Sequence, residues 1–307
     1  MGEPAARLSL DDVLNDPSWF AFGYDPASRT IGFVEASADD LARAPFLDGR
    51  WDRRGRRNLR LPVAALSPLS APDNLRLIWH TGFCCSTLLA QALNAPGCNL
   101  SLSEPKLLVD AADAKRAGAD LTGIAFRLLA RAAAPAVTLK PAPAANNLMR
   151  DTPAGSRHLV LHGSCESFVV SLAKLGCDGE RYVRDMLSVM ARNGARFEAP
   201  PSPLHAAALL WQLQMAELHA QGATRMLDAE SFLADPEGTI AMLDDHFALG
   251  LPADHFEHVR PLFARNAKNP AQRFDAESRD AEHRAARAKW GSALNDAVSW
   301  SERSVSA

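Results

Sequence analysis

The stretch that decides the fold is LRLIWHTGFCCSTLLAQAL, which runs from Leu75 to Leu93. Its first residues, Leu75 to Trp79, are mostly apolar and predict a buried strand, and apolar spacing typical of a helix begins after Ser86 and Thr87. Small residues, including Gly82, join the two. Such a turn directs free backbone N–H groups and the positive end of the helix dipole toward one point. The stretch therefore predicts an anion site that suits phosphate.

The turn differs from the phosphate loop of enzymes that hydrolyse ATP or GTP. That loop ends in Gly-Lys-Ser/Thr, whereas here Cys85 precedes Ser86 and the turn contains no lysine. Ordinary nucleoside triphosphate hydrolysis is therefore disfavoured. The alternative that this stretch leaves open is a helix capped by Ser86 or Thr87 with no ligand.

After Pro72 the chain alternates short apolar runs with longer amphipathic segments. Strands are predicted at Leu75–Trp79, Ala136–Leu139, His158–Leu161 and Thr224–Leu227. Helices are predicted at Ser86–Leu93, Leu121–Ala133, Glu166–Leu175, Arg181–Arg192, Leu204–Gln221 and Ala276–Trp300, the last packed through Trp290 and Trp300. A parallel sheet with helices on both faces has this pattern. We therefore expect a three-layer α/β/α fold with a mainly parallel sheet.

The first part of the chain has a different texture, with short apolar groups separated by Pro, Asp and Gly. It predicts an N-terminal extension of residues 1–72, with short strands and a basic loop, ahead of an α/β domain of residues 73–307. The arginines of that loop are Arg50, Arg53, Arg54, Arg56, Arg57 and Arg60. They have almost no aromatic residues between them, which indicates a solvated loop rather than a nucleic-acid surface.

Composition narrows the possible partners. The 307 residues carry a formal net charge of −3, so no overall positive field attracts nucleic acid or an anionic membrane. The five cysteines are odd in number and suit a reducing compartment, and neither they nor the nine histidines have metal-ligand spacing. We expect a cytoplasmic protein with no nucleic-acid, membrane or metal partner. The oligomeric state is left open.

The segment HTGFCCSTLL, from His80 to Leu89, resembles the phosphosulfate-binding loop of the sulfotransferases, in the variant found in bacterial sulfotransferase-like proteins. The resemblance implies the topology of P-loop nucleoside triphosphate hydrolases and the donor 3′-phosphoadenosine 5′-phosphosulfate, used without a metal. Phe83 stands where many members have a lysine. The donor-binding residues that it implies in this turn are Thr81, Gly82, Phe83, Cys84, Cys85, Ser86 and Thr87.

Two later segments supply candidates for the chemistry. SLSEPKLL, from Ser101 to Leu108, is similar to a family segment in which a glutamate takes the acceptor's proton, which implies Glu104. A helix-terminal acid without a catalytic role is the alternative. Lys140 follows the second predicted strand, at the sheet edge where ligands of open α/β folds collect, and can supply positive charge. With His80, these are the candidate catalytic residues.

The segment LHGSCESFVVSLAKLG resembles the one in which an arginine and, eight residues later, a serine hold the donor's 3′-phosphate. Ser171 matches the serine, but Gly163 occupies the arginine position. The 3′-phosphate is then held by Ser164, Ser171 and a basic residue from elsewhere, or it is not held at all. Near the C-terminus, AKNP and Arg279 resemble a segment that closes over the nucleotide, which adds Lys268.

Together these partial matches imply a sulfotransferase that moves a sulfuryl group to a hydroxyl or amine of a small-molecule acceptor. We expect the acceptor pocket at the N-terminal extension and at Arg181–Pro203, but nothing there identifies the acceptor. A P-loop kinase-like phosphotransferase would need a Mg²⁺ ligand and a lysine that reaches the phosphates. A non-catalytic nucleotide-binding protein of the same fold is the third possibility, and Phe83 and Gly163 favour it.

Overall fold

A computed structural model of the protein describes residues 9–66, 75–131, 134–220, 225–267, 269–273 and 276–305. Near its N-terminus the helices α1 (Leu10–Asn15) and α2 (Ala38–Arg43) accompany an antiparallel sheet of strands β1 (Trp19–Asp25), β2 (Thr30–Glu35) and β3 (Asn58–Pro62). Both helices begin with a serine whose hydroxyl accepts a hydrogen bond from the third helical N–H. The sheet packs against the main body of the chain through one shared core.

The main body is built on a parallel sheet. Its strands are β4 (Leu75–His80), β5 (Asn99–Ser103), β6 (Ala136–Lys140), β7 (Arg157–His162) and β8 (Arg225–Asp228), in the spatial order β5-β6-β4-β7-β8. The strand that precedes the predicted anion-binding turn, β4, is central and buried along its whole length. The expected fold class, an α/β/α fold with a mainly parallel sheet, is confirmed.

Strand β5 is an element that the sequence analysis missed. Its residues, NLSLS, alternate polar and apolar, which is typical of a half-exposed strand, yet all are buried. The amide of Asn99 accounts for part of this burial, because it donates to the Leu93 carbonyl at 2.7 Å and accepts from the Thr138 hydroxyl at 2.9 Å. As an outer strand beside β6, β5 brings the segment after Ser103 to the carboxyl edge of the sheet.

Helices cover both faces of the sheet. They are α3 (Ser86–Ala92), α4 (Lys106–Arg116), α5 (Thr122–Leu129), α6 (Cys165–Ala173), α7 (Cys177–Arg192), α8 (Pro203–His219), α9 (Ala229–Ala234), α10 (Pro236–Phe247), α11 (His255–Val259) and α12 (Ala276–Val305). Single-turn or 3-10 segments lie at Val63–Leu66, Pro143–Asp151 and Arg260–Ala264, and β9 (Arg265–Asn266) pairs with β10 (Asn269–Arg273).

The long C-terminal helix α12 bends at Gly291, where φ is 33°. Trp290 and Trp300 pack it against the core formed with α6, α7 and α8, which confirms the predicted packing. No helix in the described ranges is long and apolar enough to cross a membrane.

Candidate functional site

The turn between β4 and α3 follows an unusual backbone path. Gly82, Phe83 and Cys85 have φ values of 81°, 54° and 61°, a region that residues other than glycine rarely adopt. Cys85 precedes the first helical residue and makes no side-chain capping hydrogen bond to α3. Successive backbone N–H groups in turns of this kind form concavities that bind anions.

His80 holds this turn from the end of β4. Its side chain is buried, and Nδ1 accepts a hydrogen bond from the Gly82 N–H at 2.9 Å, so one amide of the turn already has a partner within the protein. Its carbonyl accepts from Nδ2 of Asn146 at 3.1 Å. Asn146 is fully buried, and its Oδ1 has no hydrogen-bond partner in the described part of the chain. The sequence analysis missed Asn146, which follows β6 without a motif that marks it.

Phe83, where the resemblance would place a lysine, packs against other rings. Its centroid lies 5.8 Å from that of Phe168 and 5.5 Å from that of Tyr182, both in edge-on geometry. Next to it, burial raises the pKa of the Cys84 thiol to about 11, and this thiol donates to the Leu161 carbonyl at 3.4 Å. The middle of the turn is therefore fixed by apolar packing.

A buried lysine, Lys140, lies beside the turn on the neighbouring strand. It ends β6, the strand beside β4, and its side chain is fully buried. Its Nζ donates to Oε1 of Glu104 at 2.6 Å and to Oγ1 of Thr87, in the first turn of α3, at 3.3 Å. Parallel strands that end at the same sheet edge bring these side chains together.

Glu104 directly follows β5, with φ at 50° and its N–H donating to the Lys140 carbonyl at 2.7 Å. Its Oε2 accepts from Arg50 at 2.9 Å. Burial opposes ionisation of this carboxyl, but the charge and hydrogen bond of Lys140, with the charge of Arg50, outweigh that effect and lower its pKa to about 2. Arg50 was expected only as part of a solvated loop. Its approach to Glu104 depends on how that loop folds over the sheet edge.

Tyr182 on α7 reaches the turn, and Gln214 on α8 lies beside Tyr182. A Cβ placed on Gly82 would lie 3.2 Å from the hydroxyl of Tyr182, and burial raises the pKa of that hydroxyl. Gln214 lies close to Tyr182, is fully buried, and makes no hydrogen bond of normal geometry within the described residues. Neither residue has a local motif in the sequence, because only the packing of the helices brings it to the turn.

The serines proposed for the 3′-phosphate lie along α6. Ser164 is exposed at the start of the helix, and its hydroxyl accepts from the Ser167 N–H at 3.1 Å. Ser171 lies in the second turn of the helix, and its hydroxyl donates to the Ser167 carbonyl at 2.8 Å. Gly163 is adjacent to the turn, since a Cβ on it would lie 4.0 Å from that of Cys84. Ser164 thus neighbours the turn between β4 and α3, whereas the hydroxyl of Ser171 is engaged within its helix.

Helix α12 brings basic side chains to the first turns of α6. Nε2 of His283 lies 3.2 Å from the Ser167 hydroxyl, and Arg287 donates to Glu166 at 2.6 Å. Lys268 lies outside the described residues, as does the side chain of Arg279. Within the described residues no group of three or more His, Cys, Asp or Glu side chains could hold a metal ion.

The candidates therefore divide into a compact group and an outlying one. The compact group is at the carboxyl edge of the sheet and consists of His80, Thr81, Gly82, Phe83, Cys84, Cys85, Ser86, Thr87, Glu104 and Lys140. Ser164 borders it, and Ser171 lies further along α6. Sequence reasoning did not find Arg50, Asn146, Tyr182 and Gln214 as members of this site.

No protein-family model matches the sequence, and no curated protein matches it. Among solved structures, the sulfotransferase domain from the curacin biosynthetic pathway aligns at 12% identity with a TM-score of 0.42, over 72% of this chain and 98% of that one. A sulfotransferase from Alicyclobacillus acidocaldarius aligns at 15% identity with a TM-score of 0.37, over 69% of this chain and 100% of that one. Neither alignment assigns a role to a residue of this chain.

Proposed function

We propose that this protein is a sulfotransferase-like enzyme that moves a sulfuryl group from 3′-phosphoadenosine 5′-phosphosulfate to a hydroxyl or amine. One observation carries the proposal: the fully buried Lys140 joins Glu104 to Thr87 at 2.6 and 3.3 Å, where β4 turns into α3. A cation, a carboxylate and a helix N-terminus thus meet at a turn suited to anions. Burying charge is costly, and a site that handles charged reactants explains why charge is kept there.

In the proposed reaction the acceptor oxygen or nitrogen forms a bond to sulfur. The bond between sulfur and the bridging oxygen breaks, and its electron pair leaves with 3′-phosphoadenosine 5′-phosphate. Glu104 takes the proton of the acceptor, and Lys140 balances the charge of the sulfuryl oxygens. Alignment, a general base and charge stabilisation are what such a transfer requires of a protein.

A carboxyl with a pKa of about 2 is a weak base, so Glu104 must become more basic before it can take a proton. Loss of its ion pair with Lys140 when the donor binds would have that effect. A sulfuryl group beside Thr87 would compete with Glu104 for Nζ of Lys140. Once Lys140 serves the donor, a main cause of the low Glu104 pKa weakens, and the carboxylate becomes more basic. The donor thereby prepares the base.

The remaining donor contacts belong to the same proposal. The backbone amides from Phe83 to Thr87 and the hydroxyls of Ser86 and Thr87 bind the phosphosulfate, while the Gly82 amide stays with His80. At the 3′-phosphate, Ser164 contributes a hydroxyl. The arginine expected at position 163 is replaced by Gly163, so a basic side chain of α12 supplies the positive charge instead. Ser171 and Lys268 are further candidate ligands of the nucleotide.

The packed ring of Phe83 favours one other function, a nucleotide-binding protein of this fold without catalysis. Phe83 has no charge and no hydrogen-bond donor, so it cannot replace a phosphate-reaching lysine, and its edge-on contacts with two rings hold it in place. Under this reading the nucleotide would bind, but no sulfuryl group would move. Donor binding and transfer must therefore be tested separately.

Calorimetric titration with 3′-phosphoadenosine 5′-phosphate in EDTA tests the donor site. We expect saturable binding to the wild type. The intact donor, 3′-phosphoadenosine 5′-phosphosulfate, should bind Lys140→Met at least tenfold more weakly, because that variant loses the cation that faces the sulfuryl group. Glu104→Gln should bind the nucleotide near normally. When it is given 3′-phosphoadenosine 5′-phosphosulfate and a panel of phenols and amines as acceptors, it should form no 3′-phosphoadenosine 5′-phosphate. No nucleotide binding, or binding only of ATP with Mg²⁺, would overturn the proposal. Binding without transfer by the wild type would support the non-catalytic reading.

A further inference from the structure

The N-terminal sheet borders a cavity of about 710 Å³. Strands β1, β2 and β3 form its floor, and the segment 49–56 forms its wall. Gly32 leaves space in the floor, because a Cβ added there would have its nearest neighbour, the Gly23 carbonyl, at 3.8 Å. The volume lies within the range of about 300–1,000 Å³ that is usual for small-molecule sites.

Cationic side chains line this cavity: Arg50, Arg53, Arg54, Arg56, Arg60 and Lys106. Each of them except Arg53 forms an ion pair with a carboxylate. Arg53 is exposed and pairs with no carboxylate of the described residues. An anionic ligand can therefore bind Arg53 without first displacing a carboxylate from it.

Aromatic rings stand next to this arginine. The Arg53 guanidinium lies 3.9 Å from the ring centroid of Phe22, and the Trp51 ring lies 6.0 Å from the same Phe22 ring. Tyr24 lines the same cavity. Flat rings pack favourably on such side chains, and a guanidinium held on a ring keeps its N–H groups free at the edge to bind an anion. The lining therefore suits a ligand with a ring and an acidic group.

The cavity adjoins the proposed base. Arg50 lines it and also donates to Oε2 of Glu104 at 2.9 Å. The same guanidinium lies 3.5 Å from the ring centroid of Phe46, which in turn is 5.5 Å from Nζ of Lys140. Arg50 thus contacts both the cavity and the ion pair that we assign to catalysis.

We propose that this cavity is the acceptor site and that the acceptor is a small organic acid with a ring and a hydroxyl or amine. Its anionic group binds Arg53, its ring packs beside Phe22 and Trp51, and its hydroxyl or amine reaches Glu104 past Arg50. The proposal rests on the sulfotransferase function proposed above, because that function makes Glu104 the base. It adds the chemical class of the acceptor and a residue that selects it.

Two fluorescent coumarins that differ only in charge test this specificity. 7-Hydroxycoumarin-4-acetic acid has a ring system, a hydroxyl and a carboxylate, and 7-hydroxy-4-methylcoumarin lacks the carboxylate. We expect the wild type to bind the acid at least tenfold more tightly by fluorescence anisotropy. Arg53→Met keeps the apolar stem but removes the charge, and should weaken the acid about tenfold while leaving the neutral coumarin unchanged. Arg303→Met, an exposed arginine on α12, is the matched control and should change neither.

A second variant tests the location. Gly32→Val adds a side chain that a strand accepts readily and fills the floor of the cavity, so both coumarins should bind at least tenfold more weakly. Circular dichroism confirms that the variant folds. Equal affinity for the two coumarins, no binding of the acid, or binding that Arg53→Met and Gly32→Val leave intact would overturn the proposal.

The assay separates this proposal from the function on which it rests, because coumarin binding needs no donor. Neither Arg53→Met nor Gly32→Val should change the affinity for 3′-phosphoadenosine 5′-phosphate. A wild type that binds the acid but not the nucleotide would refute the sulfotransferase function and, with it, the acceptor role of the cavity. A wild type that binds the nucleotide but not the acid would refute only the acceptor assignment.

Discussion

Two ion pairs of similar length occupy opposite settings in this molecule. Lys140 and Glu104 approach to 2.6 Å at the carboxyl edge of the parallel sheet, with the lysine 0% exposed. Arg54 and Asp52 approach to 2.8 Å in the loop of the N-terminal sheet, with the arginine 91% exposed. Water and salt screen the second pair, but the first pair interacts in a medium of low polarity. Burial, and not distance, therefore decides which pair the protein depends on.

The largest effect that this comparison predicts comes from breaking the buried pair. Lys140→Met leaves the Glu104 carboxylate buried with Arg50 as its remaining ion-pair partner, and the free energy of unfolding should fall by about 3–5 kcal/mol. Urea denaturation measures it. The double variant Lys140→Met/Glu104→Gln removes the stranded charge and should regain part of the loss. A single variant that loses less than about 1 kcal/mol would place the buried pair in the same class as a surface pair.

The pH dependence of stability separates the two carboxyls next. The folded pKa of Glu104 is lowered from 4.5 to about 2, so its contribution is complete above about pH 4.5 and is lost as the pH falls toward 2. The lowering corresponds to a contribution of about 3 kcal/mol at most. Arg54 likewise holds the pKa of Asp52 below its usual range, by a side-chain hydrogen bond, but in full contact with water.

Urea midpoints of the wild type, Glu104→Gln and Asp52→Asn between pH 5 and pH 2.5 measure this difference. We expect the wild type and Asp52→Asn to lose stability in parallel, and Glu104→Gln to lose less over the same interval. Three parallel curves would mean that the buried carboxylate adds nothing to the acid sensitivity of the fold.

The two regions also differ in how far the sequence could predict them. The strand, turn and helix from Leu75 to Ala92 were predictable because apolar periodicity and small turn residues are local signals. Strand β5 was missed, because its alternating polar residues look half-exposed, and the burial of one of them, Asn99, depends on Thr138 on another strand. Hydrogen bonds between residues that are distant in sequence cannot be predicted from a local pattern of polar and apolar residues.

The same limit applies to the site. Lys140 was a candidate because it follows a predicted strand, and Glu104 because the segment SLSEPKLL resembles one that carries a catalytic glutamate. The structure adds that the two side chains touch. Arg50 was predicted to lie in a solvated loop because it is surrounded in sequence by charged residues. One of its two ion pairs, with Asp48, does lie in that loop. That Arg50 also reaches Glu104 follows only from the packing of the N-terminal sheet on the main body.

A pair of glycines extends the comparison to the backbone. Gly82 in the buried turn and Gly155 in the turn before β7 have φ values of 81° and 84°, so an added Cβ is strained at both. At Gly82 the Cβ also meets the Tyr182 hydroxyl at 3.2 Å, whereas at Gly155 nothing lies within 4 Å. Gly155→Ala should cost about 1–2 kcal/mol from the backbone alone, and Gly82→Ala should cost more. Thermal denaturation compares them, and equal losses would show that the turn yields to Tyr182 without strain.

The smallest predicted effect belongs to the exposed pair. Asp52→Asn removes the carboxylate that Arg54 contacts in solvent, and side-chain entropy and screening already offset most of that attraction. The urea midpoint at pH 7 should stay unchanged within error, in low salt and in 0.5 M NaCl alike. A clear loss in low salt that disappears in high salt would mean that Asp52 stabilises the arginine-rich wall by balancing its charge. The charges of the loop would then act together as a network. The exposed pair would stabilise the fold as the buried pair does, only by a smaller amount.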